Sequence, residues 1–244
     1  MAPTRRALPH EKGEDGILTI TAFEGAITVR VLEPGERAFL FDAVFQTRHR
    51  HFQGAPKPPE HFHPFQDEYM TVLEGTLIIE VEGVQHVVKA GDPEFTVRRG
   101  VNHRLYPPRR DEGPPAARAA AEEQDVIRVL LSGEQTSKQF KLDLVFFENW
   151  YAYQDMLVVQ KARLNLLQVL SMFDAGDSYL TLPRWVPFRA KVSRIAGVVG
   201  GRWIGGLLGY QPFYKEWTTE WDIACEKMES SLFLRRFSDR RNKK

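Results

Sequence analysis

The stretch HFHPFQDEYMTVLEGTLIIEVEGVQHVVKAGDPEFTVRRGVNHRLYP, residues 61–107, decides the reading of the chain. Short runs, YMTVLE (69–74), TLIIEVE (76–82), VQHVVKA (84–90) and EFTVRR (94–99), are divided by Gly75, Gly83, Gly91 and Gly100, which fall eight, eight and nine residues apart. That rhythm belongs to short antiparallel strands joined by tight turns, in a sandwich or small barrel. At its head, His61 and His63 stand two residues apart, so on a strand both imidazoles leave the same face and reach one point. Glu68 follows His63 by five, an odd interval that requires a bend, and Pro64 with Gln66-Asp67 supplies turn-forming residues for it. His103 sits on the last strand, HRLYP. Three imidazoles and a carboxylate suit a divalent first-row metal (Mn, Fe, Co, Ni, Cu or Zn) and leave coordination positions for water, dioxygen or substrate.

Working outward, ILTITA (17–22), AITVRVLE (26–33), RAFLFDAVFQT (37–47) and DVIRVLL (125–131) extend the strand pattern. Alternation nominates a pocket wall: Phe39, Phe41 and Phe45 share one face of their strand, Met70 and Val72 share parity with Glu68, and Phe65 follows the two histidines. Such an aromatic and aliphatic wall around one polar centre suits a largely apolar small molecule. His49-x-His51 lacks a correctly spaced acid and, with His10 and His86, is read as surface. The arginines at 48–51, 98–99 and 109–110 and the tail RRFSDRRNKK are read as solvated faces and a frayed end. PPRRDEGPPAARAAAEEQ (107–124) has turn-breaking prolines and no apolar periodicity, which predicts an exposed loop, with a mobile lid as the sharper reading.

All seven histidines precede residue 104 and all five tryptophans follow residue 149, a split that implies two structural parts. The second part reads as helix: Met156 to Phe173 is mostly apolar apart from a polar stripe that includes Lys161, Asn165 and Gln168, and Trp217, Trp221, Cys225 and Met228 recur at helical spacing. Gly197, Gly201, Gly205 and Gly209 recur every fourth residue. On a helix they form a bare ridge, best explained by close approach of another helix or a dimer partner, with membrane-surface docking as a second reading.

The composition of the 244 residues excludes several classes. With 33 basic and 32 acidic residues and a formal charge of +1, no global field draws nucleic acid or anionic membrane. With Cys225 alone, neither an internal disulfide nor a thiolate cluster is available, so any metal must use histidine and carboxylates. No secretory pattern or spanning run is visible, and a cytoplasmic protein is expected.

His61-x-His63, four residues, Glu68, six residues, Gly75, then Gly91 to Gly100 and His103, resembles the two signature motifs of the cupin superfamily. The likeness covers residues 54–107 by motif and 15–133 by strand pattern. Gly54 stands one residue early, the second motif has an extra residue, its usual proline is replaced around Val97-Arg98, and Pro107 takes its trailing asparagine position. The resemblance implies a mainly β chain: a cupin-type antiparallel jelly-roll barrel with a C-terminal α-helical extension. The corresponding organisation is an N-terminal arm over 1–16, a barrel over 17–133 and the helical extension over 134–244. It also implies His61, His63, Glu68 and His103 as metal ligands and a homodimer. A metal-dependent, dioxygenase-like oxidoreductase of secondary metabolism, acting on an aromatic or polyketide-like small molecule, is the first functional expectation, with Glu68 as its catalytic base. A non-oxidative isomerase, decarboxylase, dehydratase or cyclase built on the same cavity is the alternative, and a binding protein with a vestigial site the third; one barrel hosts unrelated chemistries.

Overall fold

In the computed structural model the described residues are 5–53 and 56–239, so Gly54 and the end of the basic tail lie outside them. They form two compact units, residues 9–135, and residues 136–239 together with Arg5–Leu8.

The first unit is built of antiparallel strands: β1 (His10–Lys12), β2 (Leu18–Ala22), β3 (Ile27–Leu32), β4 (Arg37–Gln46), β5 (His61–Phe62), β6 (Glu68–Glu74), β7 (Thr76–Val81), β8 (Val84–Lys89), β9 (Phe95–Val97), β10 (His103–Tyr106) and β11 (Val126–Glu134). One sheet runs β1-β2-β3-β4-β11-β6-β9, and the other, within this unit, runs β5-β10-β7-β8. Two antiparallel sheets with this element order are consistent with a jelly roll; among the described residues no ladder joins them into a closed barrel. The arm read over 1–16 contributes β1, which pairs with β2.

The pattern that drives these strands is visible in β4. Phe39, Phe41, Ala43 and Phe45 alternate into the interior, and burying each phenylalanine contributes roughly 1.5–3 kcal/mol. Asp42 on the other face is buried as well, held by Arg128 from β11 at 2.8 and 2.6 Å and by Arg30 from β3 at 3.7 Å. The glycine rhythm has a backbone cause: Gly75, Gly83, Gly91 and Gly100 have φ of 75, 83, 91 and 78°, a region that side chains with a Cβ avoid. At Gly75 a Cβ would also stand 2.6 Å from the Val126 carbonyl oxygen.

The segment expected to be a loop, 107–124, differs from that expectation. It contains α1 (Pro115–Glu123), with proline at its start and a run of alanine, arginine and glutamate that forms helix without an apolar stripe. Ala117 packs on Ile78 and Tyr106, and Gln124 makes paired hydrogen bonds with the backbone of Thr76, to its N–H at 2.8 Å and its carbonyl at 3.0 Å.

The second unit contains α2 (Leu144–Val158), α3 (Leu166–Ala175), a short strand β12 (Tyr179–Leu180), α4 (Arg189–Ile195), a π-helical stretch (Ala196–Gly205), α5 (Gly206–Leu208) and α6 (Trp221–Glu229). Its core gathers Phe140, Val145, Ala175, Phe213, Ala224, Met228 and Leu234. The single helix expected over 156–173 is two. Lys161 takes φ 55°, and Asn165 caps α3 by accepting the Gln168 N–H at 3.2 Å. Trp217 likewise lies outside α6, on its own short turn (Lys215–Trp217), while Cys225 and Met228 are fully buried.

The glycine ridge is covered from within the chain. Gly197, Gly201 and Gly205 are the buried side of the π-helical stretch. A Cβ on Gly201 would lie 2.4 Å from the Leu170 carbonyl of α3, and one on Gly197 2.7 Å from the Tyr179 ring. Arg202 closes the contact, its guanidinium donating to Asp174 of α3 at 2.6 and 3.0 Å.

Candidate metal centre

β5 and β10 pair with His61 directly opposite His103, so both side chains leave the same face side by side, their rings 4.6 Å apart. His63 follows β5, with its ring 4.9 Å from that of His61 and 5.2 Å from that of His103. One ligand nitrogen from each histidine lies within 4.8 Å of the others. Glu68 comes from the other sheet as the first residue of β6, and its Oε2 is 3.0 Å from His103 Nε2. His63, Glu68 and His103 are buried and His61 is half-buried.

The electrostatics treat the two paired imidazoles differently. Burial, then the neighbouring His103, pushes His61 down to about 4, so it is neutral at physiological pH. Burial acts against protonated His103 too, but the hydrogen bond and charge of Glu68 outweigh it and raise its pKa. In both rings Nδ1 lies near a carbonyl two residues earlier, Pro59 O at 3.1 Å for His61 and Val101 O at 3.0 Å for His103. Such a bond sets hydrogen on Nδ1, which in His61 leaves Nε2 as the ligand atom; His103 Nε2 donates to Glu68 and would release that proton to ligate. Three imidazoles so arranged are compatible with a transition-metal ion.

The segment between the two sheets is tied at several points. The Gly100 N–H donates to the His63 carbonyl at 2.7 Å, and the Glu134 N–H to the Asp67 carbonyl at 2.9 Å. The buried Asp67 carboxylate accepts from the Arg99 N–H (2.9 Å) and from the guanidinium groups of Arg99 (3.1 Å) and Arg98 (2.8 Å). Burial opposes ionisation of Asp67, yet these donors hold its pKa below the ordinary value. Arg98 and Arg99, expected merely to be solvated, thus fix the bend that carries Glu68 to the histidines.

Register places the proposed wall. Glu68 pairs with Gly133 of β11 and Gly133 with Phe39 of β4; the next inward row is Met70, Leu131 and Phe41, and the next Val72, Val129 and Ala43. Residues paired across strands share a face, so Phe39, Phe41, Met70 and Val72 lie on the face of Glu68. Phe45 pairs with Ile127, a row further along, and Phe65 is half-buried in the 63–67 bend. His49 and His51 are half-buried rather than fully exposed, and His51 Nε2 lies 2.7 Å from Glu24 Oε2. His10 and His86 are exposed. Sequence reading passed over Gly133 and took Gln66 only as a turn residue, whereas its Nε2 donates to the Glu134 carbonyl at 2.8 Å. A Cβ on Gly133 would meet the Phe39 ring at 2.5 Å and Gln66 Nε2 at 2.9 Å; a glycine inside the strand RVLLSGE was the available signal of close approach.

Residues 48–108 match the family profile of the cupin domain. An oxidoreductase of Arthrobotrys oligospora is 42% identical over 226 residues, which span 91% of this chain and 85% of that one. The chain is a cupin. Oxidoreductase macE of Penicillium terrestre is 42% identical to this cupin over 192 residues, 75% of this chain and 70% of that one. Epoxidase atD of Aspergillus terreus is 40% identical over 179 residues, 73% of the cupin and 52% of its own length.

Proposed function

We propose that this cupin is a metal-dependent oxidoreductase with dioxygenase-like chemistry, acting on an aromatic or polyketide-like small molecule in secondary metabolism. The observation that carries the reading is the convergence of His61, His63 and His103 within 4.8 Å, with the Glu68 carboxylate 3.0 Å from His103. Relatives named oxidoreductase and epoxidase support oxidation over other cupin chemistries. His61, His63, His103 and Glu68 would hold a divalent first-row ion, which supplies, when bound, a Lewis-acidic, redox-active centre with open coordination positions.

The protein's own residues do the rest. Glu68 Oε2 accepts a proton from a substrate hydroxyl, as a carboxylate buried beside an imidazole is placed to do. Phe39, Phe41, Met70 and Val72 bury the substrate ring and exclude water, while Phe45 and Phe65 bound the wall further out. In this reading residues 17–133 carry the chemistry and residues 134–244 support it.

Elemental analysis of purified protein and oxygen uptake with a panel of phenols and quinols test the proposal. We expect about one ion per chain, lost in His61→Ala, and substrate-dependent oxygen uptake lowered at least ~100-fold in Glu68→Gln. No uptake by metal-loaded protein with any panel member overturns the oxidative reading, and anaerobic turnover replaces it with a non-oxidative one.

A further inference from the structure

The helix built of α4, the π-helical stretch and α5 is amphipathic in an inverted sense. Its buried side is Ser193, Gly197, Gly201, Gly205 and Gly206, the small residues, while the large apolar ones face outward. Val192, Ile195, Trp203, Ile204, Leu207 and Leu208 are all exposed, Leu208 by 65%, and just before the helix Trp185 and Phe188 are 82% and 78% exposed. Singly exposed apolar side chains are ordinary; a contiguous set on one helix and the turn that leads into it marks a surface that something covers.

Charge identifies what covers it. Between Asp177 and Glu216 there is no acidic residue, whereas Arg184, Arg189, Lys191, Arg194 and Arg202 all fall in that interval, in a chain whose overall charge is only +1. Arg202 turns inward to Asp174, and Arg194 also acts on Asp177. Lys191 lies 5.8 Å from the centre of the exposed Phe188 ring, so cation and aromatic share the same surface. A second copy of the chain fits poorly, since a two-fold contact sets a patch against itself and would oppose these cations to one another. Tryptophan and phenylalanine flanked by basic side chains, on a helix lying flat, is the composition that seats at the boundary between headgroups and acyl chains. No helix of the described residues is long and apolar enough to cross a membrane, so the helix would lie along the surface.

We propose that the face formed by residues 184–208 docks this protein on an anionic lipid surface, Trp185, Phe188, Trp203 and Leu207 entering the boundary layer and Arg189 and Lys191 meeting the headgroups. The glycine ridge gives this face its platform: it lets the helix back lie against α3, which leaves Ile195, Trp203, Ile204, Leu207 and Leu208 for the outside.

Sedimentation of the full chain with vesicles of phosphatidylcholine alone, and of phosphatidylcholine with phosphatidylserine, tests the proposal. We expect binding to the mixed vesicles, weakened by added salt and at least about tenfold lower on phosphatidylcholine alone. Arg189→Glu with Lys191→Glu, and separately Trp203→Ser with Phe188→Ser, should each lower binding by about tenfold. Lys191, Phe188 and Trp203 are exposed and Arg189 is half-buried, and melting curves check that the variants fold. Absence of binding, or equal binding to both vesicles, overturns the proposal. Binding that survives both double variants overturns it too, because the basic tail after Asp239 would then supply the attraction. So does a dimer in light scattering that Trp203→Ser dissociates, since a second copy would then close this face.

Discussion

At the scale of single residues, the site depends on side chains that are small as much as on those that ligate. Gly133 faces Glu68 on one side and Phe39 on the other, and a Cβ there has no room. Gly133→Ala is therefore expected to displace the Phe39 ring and Gln66, destabilising the fold by about 1–3 kcal/mol, the usual range for overpacking. It should also lower kcat/KM with an intact metal complement; thermal melts and steady-state rates read the two effects separately. The convergence of His61, His63 and His103 was legible because imidazoles at i and i+2 leave one face of a strand, and His103 stands on a strand in the same stretch. The roles of Gly133, Gln66 and the Asp67 clamp were not, because they arise from pairings between residues far apart in sequence.

At the scale of elements, the strands were legible wherever apolar alternation ran between glycines, and nearly every run became a strand. The misses share a cause, which is that local pattern was read for hydrophobic period alone. In 107–124 the helix is signalled by Pro115 and by propensity, with no stripe to find. In 156–173 the stripe is continuous but Asn165, three residues before Gln168, is a cap in the middle of it. The glycine ridge was legible as a packing surface, and its partner, α3, makes it testable. Gly201→Ala should force the π-helical stretch off the Leu170 backbone, which cannot yield as a side chain can. A loss of about 1–3 kcal/mol in denaturant melts is expected, and an unchanged midpoint would show that the contact is looser than drawn.

For the whole molecule, two buried carboxyls make stability fall with rising pH. Burial raises Glu148 from 4.5 to about 7 despite hydrogen bonds from Thr219, and burial raises Asp177 from 3.8 to about 7 despite the charge of Arg194. Between the unfolded values and about 7 the folded chain holds protons that the unfolded chain releases. Their contribution is whole below about pH 4 and lost as pH rises through 7. His61, lowered from 6.5 to about 4, acts in the opposite sense below its ordinary value, so melting temperature should drop as pH rises above about 6.5, and Glu148→Gln should reduce that drop; a variant with the same slope as the parent would exclude the role given to Glu148. The division of the chain into a histidine-bearing part and a tryptophan-bearing part was plain in the sequence. The outward display of Trp203 was not, because helical periodicity shows that two faces differ without showing which one turns inward.

The ties around residues 63–67 have a consequence for how an ion would be taken up. His63 is anchored through its carbonyl to Gly100, and the bend behind it through Asp67 to Arg98, Arg99 and Glu134. The ordering entropy of that segment is therefore lost when the chain folds and is not charged again when a ligand arrives. An ion entering there would meet a bend that is already set, so its uptake would order little further chain.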